Sequence, residues 1–329
     1  MGTIGVGVVG CGFVGLGAHV SSFAKIDGSR LAAVADPDPK RLGKAADKYR
    51  PQAAYQDYQE LVADPNVQAV VVALPTPLHA PVAMAAIEAG KHVLCEMPLA
   101  ANMEQADRMI AAAEKKGVVL MPSLTFRFTP NYVRVKNSIA AGEVGAVTTV
   151  LYREFISASD LAMQWPPGSW MWDRSSSGGP LFTLSVWSID MFRWLMGCEI
   201  TEVCGAANYT TLDQFGGTTG YDASAVVKFA NGVVGCLQYS GTVTPSASTS
   251  YLEVIGSSTN VVKATGNETV TRYAPDPRIT EWYVKERGAR QWGHYQQDEH
   301  FIECLLAGRD ASITPEDGRK AMEIALKIA

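Results

Sequence analysis

The chain has 329 residues and a mass of 35.3 kDa, enough for two domains of ordinary size, each with its own core. Hydrophobic residues make up 47%, charged residues 19%, and the net charge is -5, which excludes a disordered chain and a strongly basic nucleic-acid binder. Cys11, Cys95, Cys198, Cys204, Cys236 and Cys304 form no C-x-x-C pair, so reduced thiols and a cytoplasmic location are expected, not a disulfide framework.

Met1 to Ala24 carries no charged side chain, yet it has no positive n-region and is broken by seven glycines up to Gly17. It reads as a strand and a turn, not as a signal peptide or a membrane span. Ile4 to Val9 is an apolar, β-branched run, Gly10 to Gly15 a glycine turn, and a helical stretch follows to about Ile26. Arg30 to Asp36 forms a second strand, and Asp38-Pro39 starts a helix. Gln68 to Leu74 is a buried strand of the parallel type, followed by a helix over 79–89, a strand over 92–96, a helix over 102–116 and a strand over 118–123. Asn102 is placed to cap the last of these helices and Gly117 to end it. This alternation predicts an α/β Rossmann domain over residues 1–125, a doubly wound parallel sheet.

From Val147 the strands lengthen: 147–156, 199–209, 223–229 and 233–239, the last two joined through Asn231-Gly232, a strong hairpin signal. Three more follow at about 250–256, 260–264 and 268–273. Helices are clear at 180–196 and 315–328. Residues 126–329 are therefore expected to form an α/β substrate and oligomerisation domain with a largely antiparallel open sheet, its last helix free to pack back on the first domain.

A lone G-x-G-x-x-G is weak evidence in a chain with 30 glycines. Here it follows a strand, opens a helix, and is followed 21 residues after Gly15 by Asp36 at a strand end. Gly10 would make the tight turn, Gly12 would admit a pyrophosphate to the helix N-terminus, and Gly15 would let the helix pack on the sheet. Asp36 would accept from a ribose 2′-hydroxyl and repel a 2′-phosphate, which favours NAD over NADP. The alternative is a structural turn with an empty groove.

These pieces, with "ALPTPLHAPVAMAAIEAGKHVLCEMPLA" (73–100), "FRFTP" (126–130), "GGPLFTLSVWSIDMFRWLMG" (178–197) and "EHFIECLLAGRDASITPEDG" (299–318), are similar to the Gfo/Idh/MocA family. This glucose-fructose oxidoreductase and inositol dehydrogenase group is matched over nearly the whole length. The resemblance implies that Phe13 and Val14 lie against the pyrophosphate, that Pro75, Thr76 and His79 line the cofactor groove, and that Glu96 lies beside the nicotinamide ribose. It also implies a homodimer or homotetramer formed through the open sheet. The family's strand tip usually reads Glu-Lys-Pro, its lysine positioning substrate and moving a proton, and its glycine-led helix usually supplies an aspartate and, four residues on, a histidine. Those positions are Met97, Thr183 and Trp187 here, so the usual polar catalysts are missing, while Asp190 reads as a brace.

Trp165, Trp170 and Trp172 crowd a Pro/Gly loop, and with Trp187 they would form an aromatic substrate wall, unless they are satellite core or oligomer contacts. The expected function is an NAD(P)-dependent oxidoreductase that transfers hydride to or from a small sugar-like, cyclic or carbonyl/imine substrate, with Glu96, Met97, Thr183 and Trp187 at its catalytic positions. Its partner is a small molecule; no metal, nucleic acid or membrane is expected. The alternative is a redox-neutral glycosidase or lyase with bound NAD, or a nucleotide-binding regulatory protein. Tyr152, Arg153, Asp160, Asp173 and Tyr239 are further candidates for a recruited catalyst.

Overall fold

In the computed structural model, residues 2–208, 221–275 and 279–329 are described. The chain divides into two compact units, one of residues 1–125 with 287–320 and the other of 126–286 with 321–329. Segment 287–320, expected in the second domain, thus belongs to the first, and the division falls inside the last helix. Among the described residues no helix is long and apolar enough to cross a membrane.

The first unit is built on six parallel strands: β1 (Ile4–Val9), β2 (Ser29–Ala35), β3 (Ala53–Tyr55), β4 (Ala69–Val72), β5 (His92–Cys95) and β6 (Leu120–Pro122). Their order is β3-β2-β1-β4-β5-β6. The chain winds one way from β1 and then the other, so β1 and β4 flank the switch point where open α/β sheets leave a crevice at the carboxyl ends of their strands. Val6, Val8, Val70, Val71 and Leu94 are wholly buried, as expected for a sheet covered on both faces.

The helical segment after the glycine turn differs from expectation, opening as a π-helical turn, Gly15–Val20, and closing as a short α1 (Ser21–Phe23). Wide turns of this kind often mark functional positions. Next come α2 (Pro39–Tyr49), capped by Asp38, which accepts from the Lys40 and Arg41 N–H groups, and α3 (Tyr58–Ala63). After them lie α4 (His79–Glu88) and α5 (Met103–Lys116), the latter capped by Asn102 and closed by left-handed Gly117. β3 and α3 were not anticipated, because runs of 3 and 6 residues are too short to show a period.

The second unit carries an eight-stranded sheet in the order β14-β13-β12-β11-β7-β10-β9-β8. Its strands are β7 (Val147–Ser157), β8 (Ile200–Asn208), β9 (Asp222–Phe229), β10 (Val234–Val243), β11 (Thr249–Gly256), β12 (Val261–Thr265), β13 (Thr269–Tyr273) and β14 (Thr280–Tyr283). The expected strand end at Tyr209 lies outside the described residues. All pairings are antiparallel except β7 with β10, so the sheet is mixed. Gly232 (φ +88°) supplies the turn of the β9–β10 hairpin. Along β9, Ala223, Ala225, Val227 and Phe229 are buried and their alternates are not, so one face of the sheet packs and the other lies open.

Helices α6 (Pro130–Ala140), α7 (Ala158–Gln164), α8 (Arg174–Ser177) and α9 (Gly179–Met196) belong to this unit. Left-handed Gly178 and Gly179 precede Pro180 at the start of α9, whose residues are then almost all buried. The remaining helices, α10 (His294–Ala307) and α11 (Pro315–Ile328), complete the chain. α10 was not anticipated. Its Leu306 packs so closely on Gly28 that a Cβ there would approach Leu306 Cδ1 to 2.6 Å.

Candidate functional site

The glycine turn divides its labour by what each missing Cβ would strike. At Gly10 (φ +99°) it would overlap the Ala73 carbonyl, and at Gly15 the Gly10 carbonyl, so both glycines serve the packing of turn, strand and helix. At Gly12 it would meet nothing within 4 Å. The protein does not need that space for itself, which is the condition for a ligand to approach the backbone closely. Phe13 stands 68% exposed beside this space, its ring centroid 6.1 Å from that of Trp292, and Val14 is half-buried. At the end of β4, Pro75 is half-buried, while Thr76 is wholly buried with an Oγ1 that has no hydrogen-bond partner.

Asp36 closes the end of β2 and is buried. It accepts from Cys11 N–H at 2.8 Å, from Asp38 N–H at 2.9 Å, and from Arg41 Nε and Nη2 at 2.9–3.1 Å. Burial pushes its carboxyl up, but the Arg41 hydrogen bonds and the two N–H groups outweigh this and hold it below the usual range. Asp36 is therefore an anionic acceptor already shared with Arg41, a partner the sequence reading missed.

His79, expected to line the groove, is instead buried, with Nδ1 2.8 Å from Pro98 O and Nε2 2.7 Å from Leu74 O. Burial lowers its pKa, so the neutral ring has one N–H to donate to one of these two carbonyls, between the β4 loop and the Met97-Pro98 loop.

Glu96, at the tip of β5, is the centre of a buried polar cluster. Its Oε1 accepts from His19 Nε2 at 2.8 Å and from Ser123 Oγ at 2.7 Å, and its Oε2 faces Met97 N–H at 3.3 Å. Gln297 Nε2 donates to Ser123 Oγ at 3.0 Å. His19 Nδ1 donates to both Asp298 oxygens, at 3.0 and 3.1 Å. Burial opposes charge on His19, but Asp298 and then Glu96 overcome it and push the imidazole up to about 10, so an imidazolium bridges two carboxylates. Burial likewise opposes charge on Glu96, yet His19, with help from His294 and Ser123, brings it down to about 2. Burial takes His294 the other way, to about 4, so it is neutral at neutral pH. Sequence reading found Glu96 but missed the residues around it; the one available signal was the spacing of four between His294 and Asp298, which puts both on one helical face.

Residues 4–124 match the family described as "Oxidoreductase family, NAD-binding Rossmann fold", and residues 132–262 match the GFO/IDH/MocA C-terminal domain. The chain belongs to the Gfo/Idh/MocA family. It is an NAD-binding oxidoreductase of that type, and the expected family and two-sheet α/β fold both hold. It is 28% identical over 327 residues to the myo-inositol 2-dehydrogenase of Thermotoga maritima, covering 96% of this chain and 92% of that protein. Identity to the scyllo-inositol 2-dehydrogenase (NAD(+)) of Bacillus subtilis is 26% over 327 residues, with coverage of 97% and 92%. Among solved structures, GenD2 from gentamicin A biosynthesis in complex with NAD superposes with a TM-score of 0.84 at 26% identity, covering 100% of this chain and 93% of that one.

The three positions at which the resemblance implies catalytic side chains, Met97, Thr183 and Trp187, differ in their surroundings. Met97 is buried, and a Cβ at Gly318 would stand 3.5 Å from its sulfur, so it fills the interior of the first unit. In the second unit Thr183 is buried and its hydroxyl donates to Ser177 O at 3.3 Å. Trp187 is half-buried, as are Trp165 and Trp170. Trp172 corrects the expected aromatic wall. It is buried, with Nε1 donating to Trp165 O at 2.9 Å and Pro166 O at 3.2 Å, so it braces its own loop. Asp190 is a brace too, holding Arg127 through two bonds of 2.6 and 2.7 Å.

Of the other candidates, Tyr239 is tied to Ser188 at 2.6 Å, Arg153 stacks on Tyr251 at 4.3 Å, Asp160 accepts at 2.6 Å from the hydroxyl of Ser157, which caps α7, and Asp173 caps α8. Glu154, between Tyr152 and Phe155 in β7, was overlooked. It accepts from Tyr221 OH at 2.7 Å, and burial raises its carboxyl to about 7 against the opposing Tyr221 hydrogen bond.

Proposed function

We propose that this oxidoreductase moves hydride between NAD and a small sugar-like or cyclic polyol, or its carbonyl or imine counterpart, with a catalytic set that departs from the family's lysine, aspartate and histidine. The observation that carries the reading is the unfilled space at Gly12, in the turn after β1, together with the unpartnered Thr76 hydroxyl, in the loop after β4, the two strands that flank the switch point. Gly10, Gly12, Phe13, Val14 and Gly15 would hold the pyrophosphate, Asp36 with Arg41 the adenosine ribose, Pro75 and Thr76 the groove wall, and Glu96 the nicotinamide ribose. The bound nicotinamide supplies hydride transfer. NAD is favoured over NADP because Asp36 is anionic. Two inositol dehydrogenases among the relatives support the polyol class.

Met97, Thr183 and Trp187 offer no group that titrates near neutral pH. Glu154 has the kind of environment that a general acid or base needs, since a carboxyl near 7 can both give and take a proton at neutral pH. The open sheet face, with Val226 and Val234 exposed, supports a homodimer or homotetramer, and six free cysteines support a cytoplasmic protein.

Calorimetric titration with NAD, NADH, NADP and NADPH, followed by an assay of NADH formation from inositols and related sugars, tests the proposal. Micromolar binding of NAD with turnover of a cyclic polyol is expected; no binding of any of the four overturns it. Tight NAD binding without turnover on a broad alcohol, carbonyl and imine panel favours the redox-neutral or regulatory reading. Its motivating observation is that Met97 and Thr183 are both turned inward.

A further inference from the structure

His19 comes from the π-helical turn, Glu96 from the tip of β5 and His294 from the first residue of α10, and all three belong to the first unit. One donor atom from each lies within 4.8 Å of the other two. His19 Nε2 is 2.8 Å from Glu96 Oε1, and His294 Nε2 is 3.7 Å from that same oxygen. The two imidazoles meet edge-on, with ring centroids 5.6 Å apart and planes at 81°. We propose that His19, Glu96 and His294 form a binding site for one divalent transition-metal ion of the zinc class.

Two nitrogens and one carboxylate oxygen suit zinc, cobalt or nickel and are poor ligands for magnesium or calcium, which take oxygen donors. Donors about 2.0–2.2 Å from a common ion stand roughly 3–4 Å from one another, which the two shorter separations bracket. The surroundings are those of a metal centre. Asp298 holds His19 Nδ1 with both oxygens, and Ser123, itself held by Gln297, braces Glu96. A carboxylate on the far nitrogen of a histidine is the usual device that orients a metal ligand.

A second, independent observation is that His294 Nδ1 is buried without a hydrogen-bond partner, while its Nε2 stands too far from Glu96 for a good hydrogen bond. A cation bound at Nε2 would give that nitrogen a partner and leave the ring's proton on Nδ1. Coordination would replace the proton that His19 Nε2 now donates to Glu96. That proton leaves to solvent, Nδ1 keeps its own toward Asp298, and the cation takes the space between the three side chains. A positive charge would then stand one residue from Met97.

The test uses the full chain, stripped with a chelator and titrated by calorimetry with zinc chloride, with cobalt chloride as a spectroscopic probe. One ion per chain at micromolar affinity or tighter is expected, with visible d–d bands from cobalt and no response to magnesium. His294→Ala, at the partly exposed member, should weaken binding roughly tenfold or more, and Asp298→Asn by roughly 10–100-fold. Circular dichroism would check that each variant is folded. No saturable binding of zinc or cobalt by the folded wild-type protein overturns the proposal. So does binding of full strength in folded His294→Ala, which would place the ion on other ligands such as the exposed Cys204.

Discussion

Two glycines three residues apart carry different duties, and alanine separates them. Gly12→Ala puts a methyl group where the protein has nothing within 4 Å, so stability should stay within about 0.5 kcal/mol while NAD affinity falls roughly tenfold or more. Gly15→Ala drives a methyl into the Gly10 carbonyl and should cost roughly 2–3 kcal/mol of unfolding free energy. Equal effects of the two substitutions on denaturant midpoint and on NAD titration would remove this division. Asp36→Ala takes an acceptor from the ribose and frees Arg41. NAD affinity should drop by about 1.5–3 kcal/mol, and discrimination against NADP should relax as a guanidinium left with only Asp38, at 3.6 Å, becomes available for a 2′-phosphate. Calorimetry with both nucleotides reads this directly, and unchanged affinities would withdraw the assignment.

At the scale of elements, β5 delivers Glu96 into a network and leaves Met97 to pack inward. Met97→Leu should cost less than about 1.5 kcal/mol. Met97→Lys asks the interior to accept an ammonium and should cost on the order of several kcal/mol in a denaturant melt. An unchanged melt for the lysine variant would show that the side chain turns outward. The first-unit elements near this strand were legible because their signals are local: the alternation of buried strands with capped helices, and Gly10, Gly12, Gly15 and Asp36 within one β-α-β stretch. The Glu96 cluster was not, because His19 and Asp298 are 279 positions apart and only the folded chain joins them. The tryptophans show the other limit. Trp170 and Trp172 look alike in a Pro/Gly loop, yet Trp172 is core, since burial depends on what packs over a side chain and not on its type.

Across the whole molecule, Glu154 gives the pH dependence of stability a contribution whose sign can be worked out. The Glu154 carboxyl is about 7 when folded and about 4.5 ordinarily, so between those values the folded chain holds a proton that the unfolded chain has released. Stability from this group is fully present below about 4.5 and is lost as pH rises through about 7. Chemical denaturation of wild type and Glu154→Gln at pH 5 and pH 8 should show a smaller loss in the variant over that interval; parallel behaviour would mean that Glu154 is ionised throughout. At this scale the sequence carries a local signal in the change from short alternating elements to long strands from Val147, but nothing local marks the return of 287–320.

That return sets an order of events at birth. A chain growing from its N-terminus presents all six strands of the nucleotide-binding sheet long before Leu306 arrives to cover Gly28 or Asp298 to hold His19. Until residues 287–320 leave the ribosome, the unit therefore has an uncovered apolar surface and an imidazole with only one of its two buried carboxylates. A nascent chain arrested at residue 286 should accordingly be protease-sensitive and unable to retain nucleotide, and maturation of the first-made half waits on the last-made stretch.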